Sequence, residues 1–193
     1  MPESPFALPP RTLSDEGSRV RTFPNGLQLK TDLKQDDMGD VWKGSIALAR
    51  YLEYDVTQSK LKGKTILELG SGVGYLGLTT SLLGAEEAVL SDRAALVPLL
   101  RSNIARNADL LGSARVVELD WSHSQLPTDI ESTDFDYIVG SDLTYEHHGA
   151  QLLVQVLARL CAPPAHSASS SARAGKFYDA SLNLSARLAS RQA

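Results

Sequence analysis

A single cysteine, Cys161, in 193 residues removes two possibilities at once. The chain can close no internal disulfide and can build no zinc site on paired thiolates. Nor does any apolar run approach the roughly 20 residues that cross a bilayer as a helix. Lys and Arg are scattered, with no basic run, and the net charge is −4. That balance argues against a partner held mainly through its phosphates. The first residues, MPESPFALPPRT, carry prolines and an acid where a secretory signal needs a basic start and an apolar stretch. The expected setting is therefore a reducing one, the cytoplasm, with the nucleus as a second location. What remains is an ordinary globular composition, 42% hydrophobic and 22% charged, in a chain long enough for one domain with a sizeable core.

Residues 1–20 are rich in Pro, Ser and charge and read as a poorly ordered arm. The Asn25-Gly26 pair marks a tight turn flanked by short extended pieces. Asp36 to Asp40 form a polar loop that leads into Val41-Trp42, and Ile46, Ala49 and Leu52, with Leu48 and Tyr51 beside them, mark a helix over 45–54. From Lys64 onward, strand and helix patterns alternate. Thr65–Leu69, Ala88–Asp92, Arg115–Leu119 and Phe135–Val139 are short, strand-like runs. Between and after them lie the helical patterns Leu76–Leu83, Leu96/Leu100/Ile104 and Leu152 to Leu160. Repeated βα units predict an α/β fold, a Rossmann-like doubly wound parallel sheet within a domain spanning 21–161. After Cys161 the periodicity stops. Residues 162–193 read as an Ala/Ser/Pro linker followed by an atypical tail with one weak alternation at Phe177–Leu182.

The chemistry concentrates where the first strand meets its helix, at Glu68-Leu69-Gly70-Ser71-Gly72-Val73-Gly74. Glycines there let the backbone turn sharply and approach a ligand closely. Glu68 in the strand is unhelpful to a pyrophosphate, whereas a carboxylate field favours the positive sulfonium and ammonium of S-adenosyl-L-methionine. The Gly70-x-Gly72-x-Gly74 spacing also differs from the dinucleotide fingerprint G-x-G-x-x-G. Asp92 ends the second strand 22 residues beyond Gly70, where a carboxylate can accept from both ribose hydroxyls or merely cap the next helix. After the third strand, Asp120 can accept from an adenine amino group, and Trp121 can lie against the ring or pack in the core. Together these residues predict a methyltransferase cofactor site.

With those pieces in view, the chain resembles the seven-β-strand (class I) methyltransferases, and more narrowly the protein-lysine group called methyltransferase family 16. The resemblance covers residues 36–161 and is carried by Val41-Trp42, LELGSGVGYLGL at 67–78, SDR at 91–93, PLLRSNIARN at 98–107, ELDW at 118–121 and GSDLTY at 140–145. It implies that Trp42 shelters the adenosine, that Gly70, Ser71 and Gly72 hold the methionine half, and that Ser141 meets the cofactor through its backbone. It also implies that Asp142 and Tyr145 frame the entrance for a substrate lysine on a protein partner. The bland alternatives are a loop cap for Asp142 and core packing for Tyr145. His147-His148 lacks an evident third ligand, so no metal site is expected. A monomer is expected.

The family pattern continues past the fourth strand with further strands and a helix, whereas 32 residues follow Cys161 here. The expectation is a sheet without its closing antiparallel pair, with the edge near Ile138 covered poorly or by residues 177–184 and residues 162–176 mobile. Three other functions stay open. One is methylation of a small molecule or nucleic acid, although Asp142-Leu143-Thr144-Tyr145 lacks the paired prolines of nucleic-acid amino methyltransferases. The second is an inactive cofactor-binding module. The third is a nicotinamide dehydrogenase, disfavoured by Glu68 and the glycine spacing.

Overall fold

A computed structural model describes residues 7–13, 19–32, 39–54, 60–161 and 176–179. The remaining residues, including most of the linker and tail after Cys161, lie outside that description, and so does the expectation of mobility for 162–175.

Five strands form the main sheet: β4 (Thr65–Leu69), β5 (Glu87–Asp92), β6 (Ala114–Glu118), β7 (Tyr137–Gly140) and β8 (Lys176–Asp179). Their order is β6-β5-β4-β7-β8, and every pairing is parallel. The chain thus steps outward from β4 to β6, then returns to the other side of β4. This is the doubly wound Rossmann-like arrangement expected, and its switch point lies between β4 and β7. Successive residues of each strand feed opposite cores. Ile66, Ala88, Leu90 and Val139 pack with helices α1 (Lys43–Tyr54), α2 (Tyr75–Leu82) and α3 (Val97–Arg106). Leu67, Leu69, Val89, Val117 and Ile138 pack on the other face with α4 (Thr128–Glu131) and α5 (His147–Leu160). Such strands read as continuous apolar runs, which is why β4 has the bounds read from sequence.

Two sequence expectations change at the margins. Residues 1–20 are not wholly an arm, because β1 (Arg11–Leu13) and β2 (Arg19–Thr22) form an antiparallel sheet with β3 (Gln28–Lys30). The edge of β7 is covered, by β8 over the register Tyr137↔Lys176 to Gly140↔Asp179. The covering strand is parallel and begins one residue before the stretch expected to supply it.

The small sheet is docked by two buried asparagines one helical turn apart, Asn103 on α3 and Asn107 at its C-cap. Asn103 Oδ1 accepts from the Lys30 N–H at 2.7 Å while its Nδ2 donates to the Lys30 carbonyl at 3.1 Å. Asn107 repeats the pattern on Gln28, at 2.8 and 2.9 Å. Each amide therefore satisfies the edge of β3 as a neighbouring strand would. Asn103 Nδ2 also donates to the Val73 carbonyl at 2.9 Å, tying the small sheet to the glycine loop.

Candidate functional site

Loops leaving the carboxyl ends of β4, β5, β6 and β7 meet at the switch point, where ligands bind in open α/β sheets. They enclose a cavity of about 390 Å³, within the range of small-molecule sites. Trp42, Gly70, Ser71, Gly72, Asp92, Asp120, Trp121, Ser141, Asp142 and Tyr145 all line it. Ten sequence-nominated residues, spread over a hundred positions, are thereby brought to one place.

The glycine loop is clamped from behind. Ser71 donates its N–H to the Ser91 carbonyl at 3.0 Å, and Ser91 N–H donates back to Ser71 Oγ at 3.0 Å. Gly70 and Gly72 have φ of +62° and +56°, where side chains are strained. A Cβ on Gly70 would also meet Leu143 at 2.6 Å and reach the Trp121 ring at 3.5 Å. Asp92, 8% exposed, supports the loop as well: its Oδ2 accepts from the Gly72 N–H and its Oδ1 from the Arg93 N–H, both at 2.8 Å. Burial raises its pKa, and those two donors only partly oppose the rise. Asp120 sits differently. Its Oδ1 accepts from the Ser122 hydroxyl at 2.7 Å and N–H at 2.9 Å, which lowers its pKa.

Two nominated residues do not face the cavity. Gly74, at φ +91°, is the N-cap of α2. Glu68 is 2% exposed, and its Oε2 accepts from the Gly77 N–H at 3.0 Å, near the start of α2. Burial pushes its carboxyl up to about 8, with Asp92's charge adding to the rise against the opposing bonds from Ser71 and Gly77. Glu68 is then mostly protonated at neutral pH. It supports the start of α2 from behind the glycine loop and does not line the cavity, which corrects the direct cofactor contact expected of it.

At the mouth, the Trp42 and Tyr145 rings lie 5.6 Å apart, tilted by 34°. Tyr145 is 57% exposed, so it is a rim residue and not part of the core. Asp142 has φ +56°, the only positive value among described non-glycine residues, and its Oδ2 accepts from the Gly44 N–H at 2.8 Å. The bond ties the loop after β7 to the first turn of α1, immediately after Trp42. Gly44 permits the approach, since a Cβ there would lie 2.6 Å from Asp142 Cγ. Asp142 thus holds the two halves of the mouth together.

A lysine methyltransferase family profile matches residues 22–175. The chain belongs to that family. It is 33% identical over 125 residues to EEF1A lysine methyltransferase 3 of Xenopus tropicalis, covering 64% of this chain and 52% of that one. It is 31% identical over 138 residues to protein N-lysine methyltransferase METTL21A of Mus musculus, covering 70% and 61% respectively. The chain therefore spans little more than half the length of these relatives. Among solved structures, PH0793 of Pyrococcus horikoshii aligns with a TM-score of 0.50 at 14% identity, covering 72% of this chain and 47% of that one, a likeness of fold alone.

Within this lysine methyltransferase fold, sequence reasoning missed Asp40. It lines the cavity beside Trp42 and takes Arg21 Nε and Nη2 at 2.9 Å each, with Arg11 Nη2 on the same carboxylate. Burial alone would raise its pKa, but Arg21, the Val41 N–H and Arg11 outweigh it and hold the carboxyl below its ordinary value. No local pattern announces this hub, because its cations come from two other strands. Glu146 and His148 also line the mouth. His147 instead lies 3.2 Å from Gln151 Nε2, and no cluster of three metal-binding side chains occurs among the described residues.

Proposed function

We propose that this chain transfers a methyl group from S-adenosyl-L-methionine to a lysine side chain of a protein. The observation that carries the reading is the cavity at the β4/β7 switch point, which joins the glycine loop, Asp92 and Asp120-Trp121 to a mouth rimmed by Trp42 and Tyr145. The residues fit the group. A Cβ on Gly70 would drive Leu143 out of place and take up the space against the Trp121 ring, and Asp92 is a nearly buried acceptor that keeps unused lone pairs after its two N–H bonds. When bound, the cofactor supplies an electrophilic methyl on a positive sulfonium. Asp92 would accept from the ribose hydroxyls. Asp120 Oδ2, without a hydrogen bond among the described residues, would accept from the adenine amino group beside Trp121.

The chain's work is then alignment. An in-line displacement needs the amine held at the methyl and its proton removed, since a lysine of ordinary pKa near 10.4 arrives as a cation. Aromatic faces at the rim attract a cation, and the drier interior favours its neutral form. The single cysteine supports the cytoplasm as its setting, with the nucleus as a second location, and imaging a fluorescent fusion tests this. Incubating the chain with methyl-labelled cofactor and candidate protein acceptors, then locating label by mass spectrometry, tests the proposal. Label on lysine is expected. Tight cofactor binding with no transfer to any protein would favour a binding module instead.

A further inference from the structure

Five acidic side chains line the cavity: Asp40, Asp92, Asp120, Asp142 and Glu146. Four are engaged. Asp40 holds Arg21, Asp92 holds two backbone N–H groups, Asp120 holds Ser122, and Asp142 holds the Gly44 N–H. Glu146 differs. It stands at the N-cap of α5 but makes no side-chain cap bond, and its carboxylate has no hydrogen bond or ion pair among the described residues. It is exposed, follows Tyr145 directly, and reaches the mouth where the Trp42 and Tyr145 rings face one another.

We infer that Glu146 is the specificity-determining residue that selects a cationic acceptor at the mouth, taking the incoming ammonium while the aromatic pair surrounds its alkyl stem. The inference rests on the lysine-acceptor reading above. A charge-assisted bond needs a free carboxylate oxygen; Asp120 and Asp142 each keep one, but Glu146 alone among the lining acids has both oxygens free, and it stands beside Tyr145 at the rim. Neutral isosteres of lysine would keep the apolar contact with the rings and lose the ionic one. Glu146 contacts substrate only before transfer. Its loss should therefore change acceptor affinity and discrimination, not cofactor affinity.

The test is an NMR titration of the whole chain, saturated with S-adenosylhomocysteine, following the Trp42 indole resonance. The probes are Nα-acetyl-lysine methylamide and its norleucine isostere. The parent should prefer the lysine probe roughly tenfold, the lower range for a hydrogen bond to a charged group. Glu146→Gln should bring the lysine probe to the level of norleucine, and Glu146→Asp should recover part of the preference. S-adenosylhomocysteine affinity should be the same in all three proteins. A Glu146→Gln variant that keeps the parent's preference overturns the inference and leaves the lysine reading standing. A parent that shows no preference overturns both.

Discussion

Gly44→Ala is the substitution whose sign separates two physical accounts. Gly44 lies in the first turn of α1 with an ordinary negative φ, so helix propensity by itself favours alanine by about 0.5–1 kcal/mol. The contact with Asp142 points the other way. The new Cβ would sit 2.6 Å from both Cγ and Oδ1 of that residue, so the carboxylate must leave. Leaving breaks its bond to the Gly44 N–H, and a hydrogen bond to a charged group contributes about 1.5–3 kcal/mol. Asp142 is only half-buried, so water recovers part of that loss and the lower end applies. The expected net effect is destabilisation by about 0.5–1 kcal/mol, read as a lower urea midpoint at unchanged slope. The Trp42 emission should also change, because Asp142 holds the loop bearing Tyr145 against the turn that follows Trp42. In an Asp142→Gly background, where no carboxylate remains and the positive φ is relaxed, Gly44→Ala should become neutral or stabilising. A Gly44→Ala protein at least as stable as the parent, with Trp42 emission unaltered, would show that the Asp142 bond to Gly44 does not hold the mouth.

Asn103→Ala should cost about 2–3 kcal/mol, since it strands the Lys30 amide and frees the Val73 carbonyl, and hydrogen exchange should rise first in β3. Glu68 makes a pH prediction. Its folded pKa, about 8, exceeds its unfolded one, so the stability it contributes is full below about pH 4.5 and declines as pH rises to about 8. Each pH unit in that window costs at most about 1.4 kcal/mol, and Glu68→Gln, which keeps an acceptor for Gly77, should flatten the decline measured by urea unfolding. Asp92→Asn should weaken S-adenosyl-L-methionine by roughly 10- to 100-fold in calorimetry. An unchanged affinity would reduce Asp92 to a support for Gly72.

How much of this could be read in the sequence depended on how local the cause was. The bounds of β4 follow from an apolar run that meets a glycine cluster, and the cavity loops follow from the βα order, since parallel strands send all such loops to one end. Asp142 and Tyr145 stand out in sequence only through a resemblance, and the structure adds why Asp142 is fixed: the loop at the carboxyl end of β7 reaches a helix start 98 residues away. Non-local causes stayed hidden. β1 is three residues long and shows no alternation, and its Arg11 gains a purpose only through Asp40. The α3 asparagines look like surface polar residues until β3 lies alongside. Glu68 reads as a charge in sequence, which shows an acid but not its burial, and burial favours its neutral form.

On the function proposed above, the switch-point cavity takes an adenosylated methyl donor. Isothermal titration of the folded chain with S-adenosyl-L-methionine, and separately with NAD, addresses it most directly. Saturable binding of the methyl donor in the micromolar range is expected, with a ligand-dependent rise in melting temperature, and no saturable binding of NAD. A folded chain that ignores the methyl donor, or that binds NAD in its place, would rule out an adenosylated methyl donor as the ligand of this cavity.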